Sequence, residues 1–528
     1  MKRRLFLASA ATAVVAGTPA SALLVPLASP DALTTRAESS AFAATSSNAD
    51  IARFFAVLDQ RGAPIVRGSL GRSHEGRSIP YVIASRPPVS TPGEARALGR
   101  PIVYVQAGVR GGDVAGKEAM LAIVRDLCVS TEKTLLEDIV LIVAPVINVD
   151  GNEHQGIASL YAPEIDGPAR VGIRENASGI DLDRDYVRFE APETRAIMAF
   201  VKLWKPDLFI DLHEGSGSFH DFGVTHAGSL HPAAYYGGAY ARDTMLPKIR
   251  AELHEKFGIE TFPMGHFGRS KALPSPPAPG NPDFGWFAPD HSPRVGVNYI
   301  GLRGTVALRV DAYPHDPFER RIYTTRAFVE SALGYASEHD DEIEGVANTA
   351  SRWLGGMLPI RATFPPKVAM QTVEWEILAL ASTEKEPGVP QGFKRTGTFS
   401  SAKMPIYDRY VGSTYISQPK GYLIPYEYAA LVQPLLEQHG IIFEQLIGTR
   451  KIGVASYALA SMRPIAGRFG SSAEYVAKFG AIQVPAVQTL GPLASVLLEP
   501  ESDGGFFASG LFDGILKVGA IAPVLRIV

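Results

Sequence analysis

The sequence predicts an α/β fold in which helices cover both faces of a central sheet. Four continuous apolar, β-branched runs have the pattern of central strands: IVYVQA (102–107), IVLIVAPVI (139–147), LFIDL (208–212) and VALRV (306–310). Runs without polar alternation are typical of strands that are buried on both faces. Helical runs at 119–127 and from Pro192 onward alternate with these strands. Alternating strand and helix signals favour a layered α/β architecture.

The first residues have the pattern of an export signal. A basic start containing the pair Arg3-Arg4 precedes a short Ala-rich apolar run, which resembles a twin-arginine signal. Small-residue cleavage motifs end at Ala22 and Ala43, and the chain between them is rich in Ala, Ser and Thr. We therefore expect residues 1–43 to be an export signal and a disordered leader, and the mature protein to be periplasmic or secreted without a membrane anchor. The alternative is a cytoplasmic protein with a basic N-terminus.

Length and composition set further limits on the class of protein. A chain of 528 residues predicts more than one domain. The formal net charge of −3 gives no basic excess, so we do not expect a nucleic-acid partner. Cys128 is the single cysteine of the sequence, and an intramolecular disulfide is therefore impossible. Strand and turn signals change character after about residue 350, so we expect an α/β domain over 44–350 and a smaller C-terminal α/β domain over 351–528.

Polar clusters directly follow the four apolar runs. They are Arg110 with Asp113, the segment NVDGN (148–152), the segment DLHE (211–214) and Asp311. Taken singly, each is more often a helix cap or a satisfied interior group. Together, titratable groups at the carboxyl ends of several strands indicate an active site at one edge of the sheet.

Several separated motifs together resemble the zinc carboxypeptidase A-like peptidases, most closely a bacterial subgroup with an extra C-terminal domain. The motifs are QAGVRGGDVAGKEA (106–119), NVDGNE (148–153), IDLDRDY (180–186), APETRA (191–196), PDLFIDLH (206–213), NYIGLR (298–303) and VQTLGPLASVLLEPESDGG (487–505). The resemblance implies a mixed eight-stranded sheet sandwiched between helices. It covers nearly all of the chain after the leader.

The resemblance also implies zinc as the cofactor. In the family, zinc is held by His-x-x-Glu in the first loop and by a distant His. The Glu position falls on Asp113 and the distant His on His213, so these two are the expected metal ligands. The first His position, however, is occupied by Arg110.

Further roles follow from the resemblance in the same way. The general base position falls on Asp311, and the Arg that grips the substrate's terminal carboxylate falls on Arg184. Arg174 matches a second Arg beside the scissile carbonyl, and Tyr299 of the NYIGLR motif is expected to bind substrate. The implied substrate is a peptide or a cell-wall stem peptide.

The departures from the family pattern bear on whether zinc binds. A guanidinium has no lone pair for a metal, and its charge opposes a divalent ion. Asp replaces Glu at both 113 and 311, which shortens each side chain by one methylene. Asp183 stands where the family has Asn, beside the expected carboxylate-binding Arg184. We expect Arg110 to replace the zinc charge and to pair with Asp113.

Three functions remain open at this stage. The first is an active exported metallocarboxypeptidase; the second is a metal-free pseudoenzyme that binds anionic peptide ends without cleavage. The third is a metal-free hydrolase with Asp311 as its base. A shifted zinc site is also conceivable, built from Asp113 and His213 with Glu214, His220 or Asp221. The working prediction is carboxypeptidase-like recognition of peptide C-termini, with hydrolysis left open.

Overall fold

The structure is a computed structural model that describes residues 33–158, 167–215, 217–352, 355–380, 393–462 and 465–528. Leu33–Val528 forms one compact unit. The predicted export signal within residues 1–32 lies outside the described residues.

The helices and strands are numbered here in chain order. The helices are α1 Arg36–Ser39, α2 Asn48–Gln60, α3 Pro92–Ala97, α4 Ala115–Val129, α5 Val149–Glu153, α6 Pro192–Trp204, α7 Tyr235–Tyr240, α8 Leu246–Phe257, α9 Gly296–Leu302, α10 Phe318–Glu338, α11 Asp340–Ser351, α12 Tyr426–His439 and α13 Gly491–Leu498. A π-helical turn, Ala241–Met245, joins α7 to α8.

The strands of the N-terminal part are β1 Ile65–Arg72, β2 Ser78–Ala84, β3 Ile102–Gln106, β4 Val140–Ala144, β5 Gly156–Ile157, β6 Arg170–Val171, β7 Leu208–Glu214, β8 Val224–Gly228, β9 Thr261–Pro263, β10 His266–Phe267, β11 Trp286–Phe287 and β12 Val306–Ala312. Those of the C-terminal part are β13 Met357–Thr363, β14 Ala369–Leu380, β15 Phe393–Tyr407, β16 Val411–Ser417, β17 Gly421–Ile424, β18 Glu444–Gln445, β19 Arg450–Ala455, β20 Tyr457–Met462, β21 Ile465–Phe469, β22 Ala473–Ala477, β23 Ile482–Pro485 and β24 Leu525–Ile527.

The central sheet is mixed and has eight strands in the order β1-β2-β4-β3-β7-β12-β8-β9. The four strands predicted from the apolar runs are its middle: β4, β3, β7 and β12 are parallel neighbours. Every residue of these four strands is buried, which explains their lack of polar alternation. The predicted mixed eight-stranded α/β fold is confirmed.

The sequence of helix α6 explains why this helix packs against the sheet. Helix α6 begins with Pro192 at its first turn and ends at Lys205, which adopts the left-handed conformation with φ 47°. Its predicted apolar stripe, including Ile197, Phe200 and Trp204, is buried. No helix within the described ranges is both long enough and apolar enough to cross a lipid bilayer.

Residues 33–43 are folded, which differs from the disordered leader that the sequence suggested. Thr35 caps α1 through a capping box with Glu38, and Ala37 is fully buried. The carboxylate of Glu118 on α4 accepts hydrogen bonds from the backbone N–H groups of Ala37 and Ser46. The tertiary contacts of a buried acid therefore order a segment whose composition alone is typical of a linker.

The C-terminal part adds a six-stranded sheet in the order β18-β23-β17-β24-β19-β22. Its long hairpin β14–β15 belongs to another sheet, of order β10-β11-β15-β14, in which β15 pairs with β11 from the N-terminal part. One hydrophobic cluster also runs from Ile51 to Val524. The division into two domains at residue 350 stays a prediction.

Candidate functional site

The register of three central strands builds a charged site at their carboxyl ends. On the parallel neighbours β7 and β12, Asp211 lies opposite Arg309, and His213 lies opposite Asp311. Residues two apart on a strand share a face, so all four side chains project to the same side of the sheet. Gln106 at the end of β3 lies opposite Asp211, and its Nε2 atom donates a hydrogen bond of 3.0 Å to Asp211 Oδ1. The site is therefore anchored on rigid elements.

Asp183 is the centre of this site. Its Oδ2 atom accepts hydrogen bonds from Arg110 at 2.9 Å, Arg309 at 2.7 Å and Arg184 at 2.5 Å. Burial raises the pKa of the Asp183 carboxyl, but the nearby charges, Arg309 and Arg184 first, hold that pKa well below its usual range. A fully buried carboxylate thus holds three guanidinium groups together.

The expected pairing of Arg110 with Asp113 is wrong. Arg110 is bonded to Asp183, while the Oδ2 atom of Asp113 lies 3.0 Å from His213 Nδ1. The loop is fixed by a hydrogen bond from Gly111 N–H to the carbonyl of Ile173. From this position the long Arg side chain reaches Asp183, and the shorter Asp side chain reaches His213.

His213 is surrounded by carboxylates on both sides of its ring. Its Nε2 atom lies 3.2 Å from Asp211 Oδ2 and 3.9 Å from Asp183 Oδ1, without hydrogen-bond geometry. Burial and the Arg309 charge lower the pKa of His213, but Asp211, Asp183 and the Asp113 hydrogen bond raise it more, to about 9. A ring protonated at neutral pH offers no lone pair to a ligand.

The residues present supply only part of a zinc ligand group. Asp183, Asp211 and His213 each offer one ligand atom, and these atoms lie within 4.8 Å of one another. The expected ligand Asp113 is hydrogen-bonded to His213. A catalytic zinc takes three protein ligands of the lone-pair type, whereas Arg110 occupies the expected first position and three guanidinium groups hold Asp183.

Arg174 and Arg184 stand at the open side of the cluster. Arg174 donates two hydrogen bonds to Asp181 Oδ2, at 3.0 and 3.1 Å, and its side chain is 39% exposed. The side chain of Arg184 is 28% exposed, compared with 9% for Arg110. Arg184, predicted to bind the substrate's terminal carboxylate, and Arg174, predicted to lie beside the scissile carbonyl, are therefore more accessible than Arg110.

All four arginines line a single cavity of about 290 Å³, which we call the arginine cavity. It is lined by Arg110, Arg174, Arg184 and Arg309, with Glu214, His220, Asp290, Asn298 and Asp311 among its other walls. Pro289 and Asp290 come from the Pro/Gly-rich segment 268–296, which therefore forms a wall over the site.

The predicted base and the predicted substrate-binding Tyr have different positions. Asp311 lines the arginine cavity and accepts a hydrogen bond from Arg309 Nε at 2.9 Å. Tyr299 is fully buried, and its hydroxyl lies 2.7 Å from His439 Nδ1 on α12. Its neighbour Asn298, rather than Tyr299, is on the cavity wall.

Glu214, one of the alternative metal ligands, has a structural role. One of its oxygens accepts hydrogen bonds from the N–H groups of Val114 and Ala115, and the other accepts one from Arg321 at 2.6 Å. Helix α4 has no side-chain cap of its own at Val114, so Glu214 caps it from β7. Both oxygens of this carboxylate therefore stabilise the fold through hydrogen bonds.

Arg309 was not found from the sequence, and Asp211 was singled out only as part of the polar segment 211–214, without a role of its own in the charged cluster. A signal for both was present. Arg309 precedes Asp311 by two residues and Asp211 precedes His213 by two residues, which places each pair on one face of a strand. An Arg within an otherwise apolar central strand also requires a buried partner.

Fold and site together define an α/β protein with a cluster of arginines and carboxylates at the carboxyl ends of its central strands. Residues 60–233 match the family model described as zinc carboxypeptidase. This segment of the chain is similar to the zinc carboxypeptidase family, as the sequence motifs indicated. Membership of a bacterial subgroup with its own C-terminal domain stays a prediction.

Curated relatives match parts of the chain. Human Carboxypeptidase D is 33% identical over 137 residues, which cover 25% of this chain and 9% of that protein. Carboxypeptidase 2 of Trichophyton rubrum is 25% identical over 301 residues, which cover 54% of this chain and 50% of that protein. The chain thus spans less than two thirds of the length of these relatives.

Solved structures with a partial likeness are also carboxypeptidases. The carboxypeptidase A of Helicoverpa armigera has a TM-score of 0.39 at 15% identity, covering 57% of this chain and 75% of that one. A metallo-carboxypeptidase from Pseudomonas aeruginosa, in complex with (2-guanidinoethylmercapto)succinic acid, has a TM-score of 0.37 at 20% identity, covering 55% and 69%.

Proposed function

We propose that this protein recognises the C-terminal carboxylate of peptides in the arginine cavity, and that it does so without zinc and without cleavage. The observation that carries the proposal is the convergence of four guanidinium groups on one cavity. A carboxylate is the natural partner of a guanidinium, because two parallel N–H···O bonds fit its two oxygens.

The accessibility of the arginines supports Arg184 and Arg174 as the first groups that a peptide end meets. They are the most exposed of the four. Arg184 is paired with the fully buried Asp183, and Arg174 is paired with Asp181. Arg110 and Arg309 are held at 2.9 and 2.7 Å from Asp183. These two deeper groups add positive charge to the cavity floor.

The absence of cleavage is proposed from the identity of the groups and not from any missing ion. Hydrolysis in the family depends on zinc held by three lone-pair donors. Here a guanidinium stands at the first of these positions. A divalent ion about 4 Å from one guanidinium would be repelled by roughly 8 kcal/mol near a surface, and Arg110 and Arg309 meet at the same carboxylate.

Calorimetric titration tests the binding function. An acetylated tripeptide with a free C-terminal carboxylate should bind, and the same peptide with a C-terminal amide should bind at least about tenfold more weakly. Arg184→Gln should weaken binding of the free acid by a similar factor. The matched control is Arg67→Gln, because Arg67 is an exposed, ion-paired Arg on the edge strand β1; its binding should be unchanged.

Metal analysis and chelation distinguish the alternatives. We expect no stoichiometric zinc in the purified protein and no effect of a chelator on peptide binding. One equivalent of zinc, together with chelator-sensitive release of the C-terminal residue, would instead establish an active zinc carboxypeptidase. Turnover that persists in excess chelator would favour the metal-free hydrolase with Asp311 as its base.

We also propose that the protein is exported and acts on peptides outside the cytoplasm, including cell-wall stem peptides. The support is the basic and apolar pattern of the first residues, with the pair Arg3-Arg4. Fractionation of cells that produce the full chain tests this proposal, with Arg3→Lys together with Arg4→Lys as the variant that should stay in the cytoplasm.

A further inference from the structure

A second and larger cavity, of about 660 Å³, lies beside the edge of the central sheet. We call it the junction cavity, because it is lined by β8, helices α7 and α8 and residues 301–304 on one side and by residues 357–359 and 408–412 on the other. Its volume is in the range of small-molecule sites. The residues predicted from the sequence as catalytic, metal-binding or substrate-binding do not line it.

Arg250 on α8 is an uncompensated cation at this cavity. Its guanidinium lies 5.4 Å from the centre of the Phe262 ring. Within the described part of the chain it makes no ion pair and no side-chain hydrogen bond. Asp408 is the one acidic residue among the described lining residues, and it is paired with Arg409 at 2.7 Å. The lining therefore carries an excess of positive charge.

His231 adds a hydrogen-bond donor without a partner. It is 2% exposed, and its Nδ1 atom accepts a hydrogen bond from the backbone N–H of Ala233. Burial lowers the pKa of His231 to about 3, so the ring is neutral at pH 7. A neutral ring whose Nδ1 accepts must carry its proton on Nε2. That N–H is buried and has no partner among the described residues.

His226 on β8 is a second buried imidazole of this kind. It is 5% exposed, and neither ring nitrogen is hydrogen-bonded to another described residue. Burial, with the nearby Arg250 charge, lowers the pKa of His226 to about 3. A buried donor without a partner is unfavourable, because it has lost its hydrogen bonds to water and gained none in return. Two such rings and a free guanidinium at one cavity are a set of donors that an anion would satisfy.

We propose that the junction cavity binds a small anionic molecule, with its carboxylate or phosphate group at Arg250 beside His226 and its apolar body against Leu302, Met357 and Tyr410. His231 is a further donor on the cavity lining. Carboxylates, which are planar, and phosphates, which are tetrahedral, both present oxygen acceptors that a guanidinium binds. This site is separate from the peptide-binding function of the arginine cavity and does not depend on it.

Titration calorimetry with three small aromatic probes tests the proposal on the full chain. Phenyl phosphate and benzoate carry the two candidate anions, and benzamide is the neutral analogue of benzoate. We expect at least one of the two anions to bind, and benzamide to bind at least about tenfold more weakly. The order of the two anions then identifies which headgroup the site prefers.

Two variants locate the binding. Arg250→Met should weaken binding of the anion at least about tenfold, and Arg53→Met, which changes an exposed Arg on α2, should leave it unchanged. Met357 is 61% exposed at the cavity wall, so Met357→Trp should fill the cavity and reduce binding even if Arg250→Met fails to fold. Equal affinity for benzamide, no binding of either anion, or unchanged anion binding in both cavity variants would overturn the proposal.

Discussion

Arg110 differs from a zinc-binding histidine in two properties, its permanent charge and its lack of a lone pair. Both properties oppose metal binding at this site. The charge effect is strengthened because Asp183 holds Arg110 and Arg309 at the same carboxylate oxygen. Removing a charge from such a buried network leaves its partners uncompensated, which typically costs about 3 to 5 kcal/mol. Under the proposed function, the arginine cluster thus both binds the peptide end and contributes to the stability of the fold.

Restoring the family's ligand types should restore metal binding. In the double variant Arg110→His with Asp113→Glu, two metal ligands with lone pairs stand beside His213. Asp183 also loses one of its guanidinium partners. We expect about one equivalent of zinc per chain in the variant, because three protein ligands suffice for a catalytic zinc, and none in the unmodified protein. Elemental analysis after dialysis measures this. A variant that takes up no zinc would show that the ligand loop has been aligned incorrectly.

Much of the site could be predicted because strand ends carry a sequence signal. Asp113 and His213 do lie together, and Arg174 and Arg184 do line one cavity with Asp311. The partner of Arg110 could not be predicted, because a three-residue spacing says nothing about which loop the side chain will face. Tyr299 was taken from a motif, and only its packing against α12 shows that its hydroxyl is bonded to His439.

His439 makes the stability of the protein depend on pH. The Val187 carbonyl can only accept, so His439 Nε2 carries the proton and Nδ1 accepts from the hydroxyl of Tyr299. Burial, with the charges of Arg303 and Lys202, lowers the pKa of His439 to about 3. Below the unfolded-state pKa of about 6.5 the unfolded chain binds a proton that the folded chain does not. Stability is therefore lost as the pH falls from about 6.5 towards 3.

Urea unfolding at several pH values measures this dependence. His439→Gln should reduce the slope of the unfolding free energy between pH 4 and 6 by up to about 1.4 kcal/mol per pH unit. The matched control is Tyr299→Phe, which removes the hydroxyl but keeps the imidazole. It should lower stability at every pH without removing the slope. An unchanged slope in His439→Gln would contradict the account.

Among the elements, the short helix α1 shows best how tertiary contacts override local composition. A four-residue helix has little stability alone, and the surrounding Ala, Ser and Thr residues are typical of a linker. Glu118 on α4 nevertheless orders the segment through Ala37, Thr45 and Ser46. In contrast, α6 and the four central strands could be predicted, because their apolar periodicity is itself a signal of burial.

Truncation at the two candidate cleavage sites should therefore have different effects. A chain that begins after Ala22 keeps α1, whereas one that begins after Ala43 loses Glu38 and Ala37. The buried Arg125 then loses its 2.6 Å partner Glu38. We expect the shorter chain to be less stable in urea by about 2 to 4 kcal/mol. N-terminal sequencing of exported protein should find cleavage after Ala22; equal stability of the two chains would remove the reason for this preference.

Across the whole protein, the segments before and after residue 350 are joined by a shared sheet and by hydrogen bonds. Strand β15 pairs with β11 across this position. Tyr299 on α9 is bonded to His439 on α12, and Arg395 of the hairpin donates to the carbonyl of His315. Sequence composition indicated a change of character at 350, but composition cannot show how much apolar surface the two sides bury against each other.

The folding unit should accordingly be the whole of Leu33–Val528. In scanning calorimetry we expect one transition whose calorimetric and van't Hoff enthalpies agree, since a shared core unfolds together. A fragment of residues 33–352 would expose Phe189 and Tyr299, which pack against His439, and would leave β11 without β15. We expect this fragment to bind a hydrophobic dye and to lack a cooperative transition. Two separate transitions in the full chain, or a fragment that unfolds cooperatively, would instead establish two independent domains divided near residue 350.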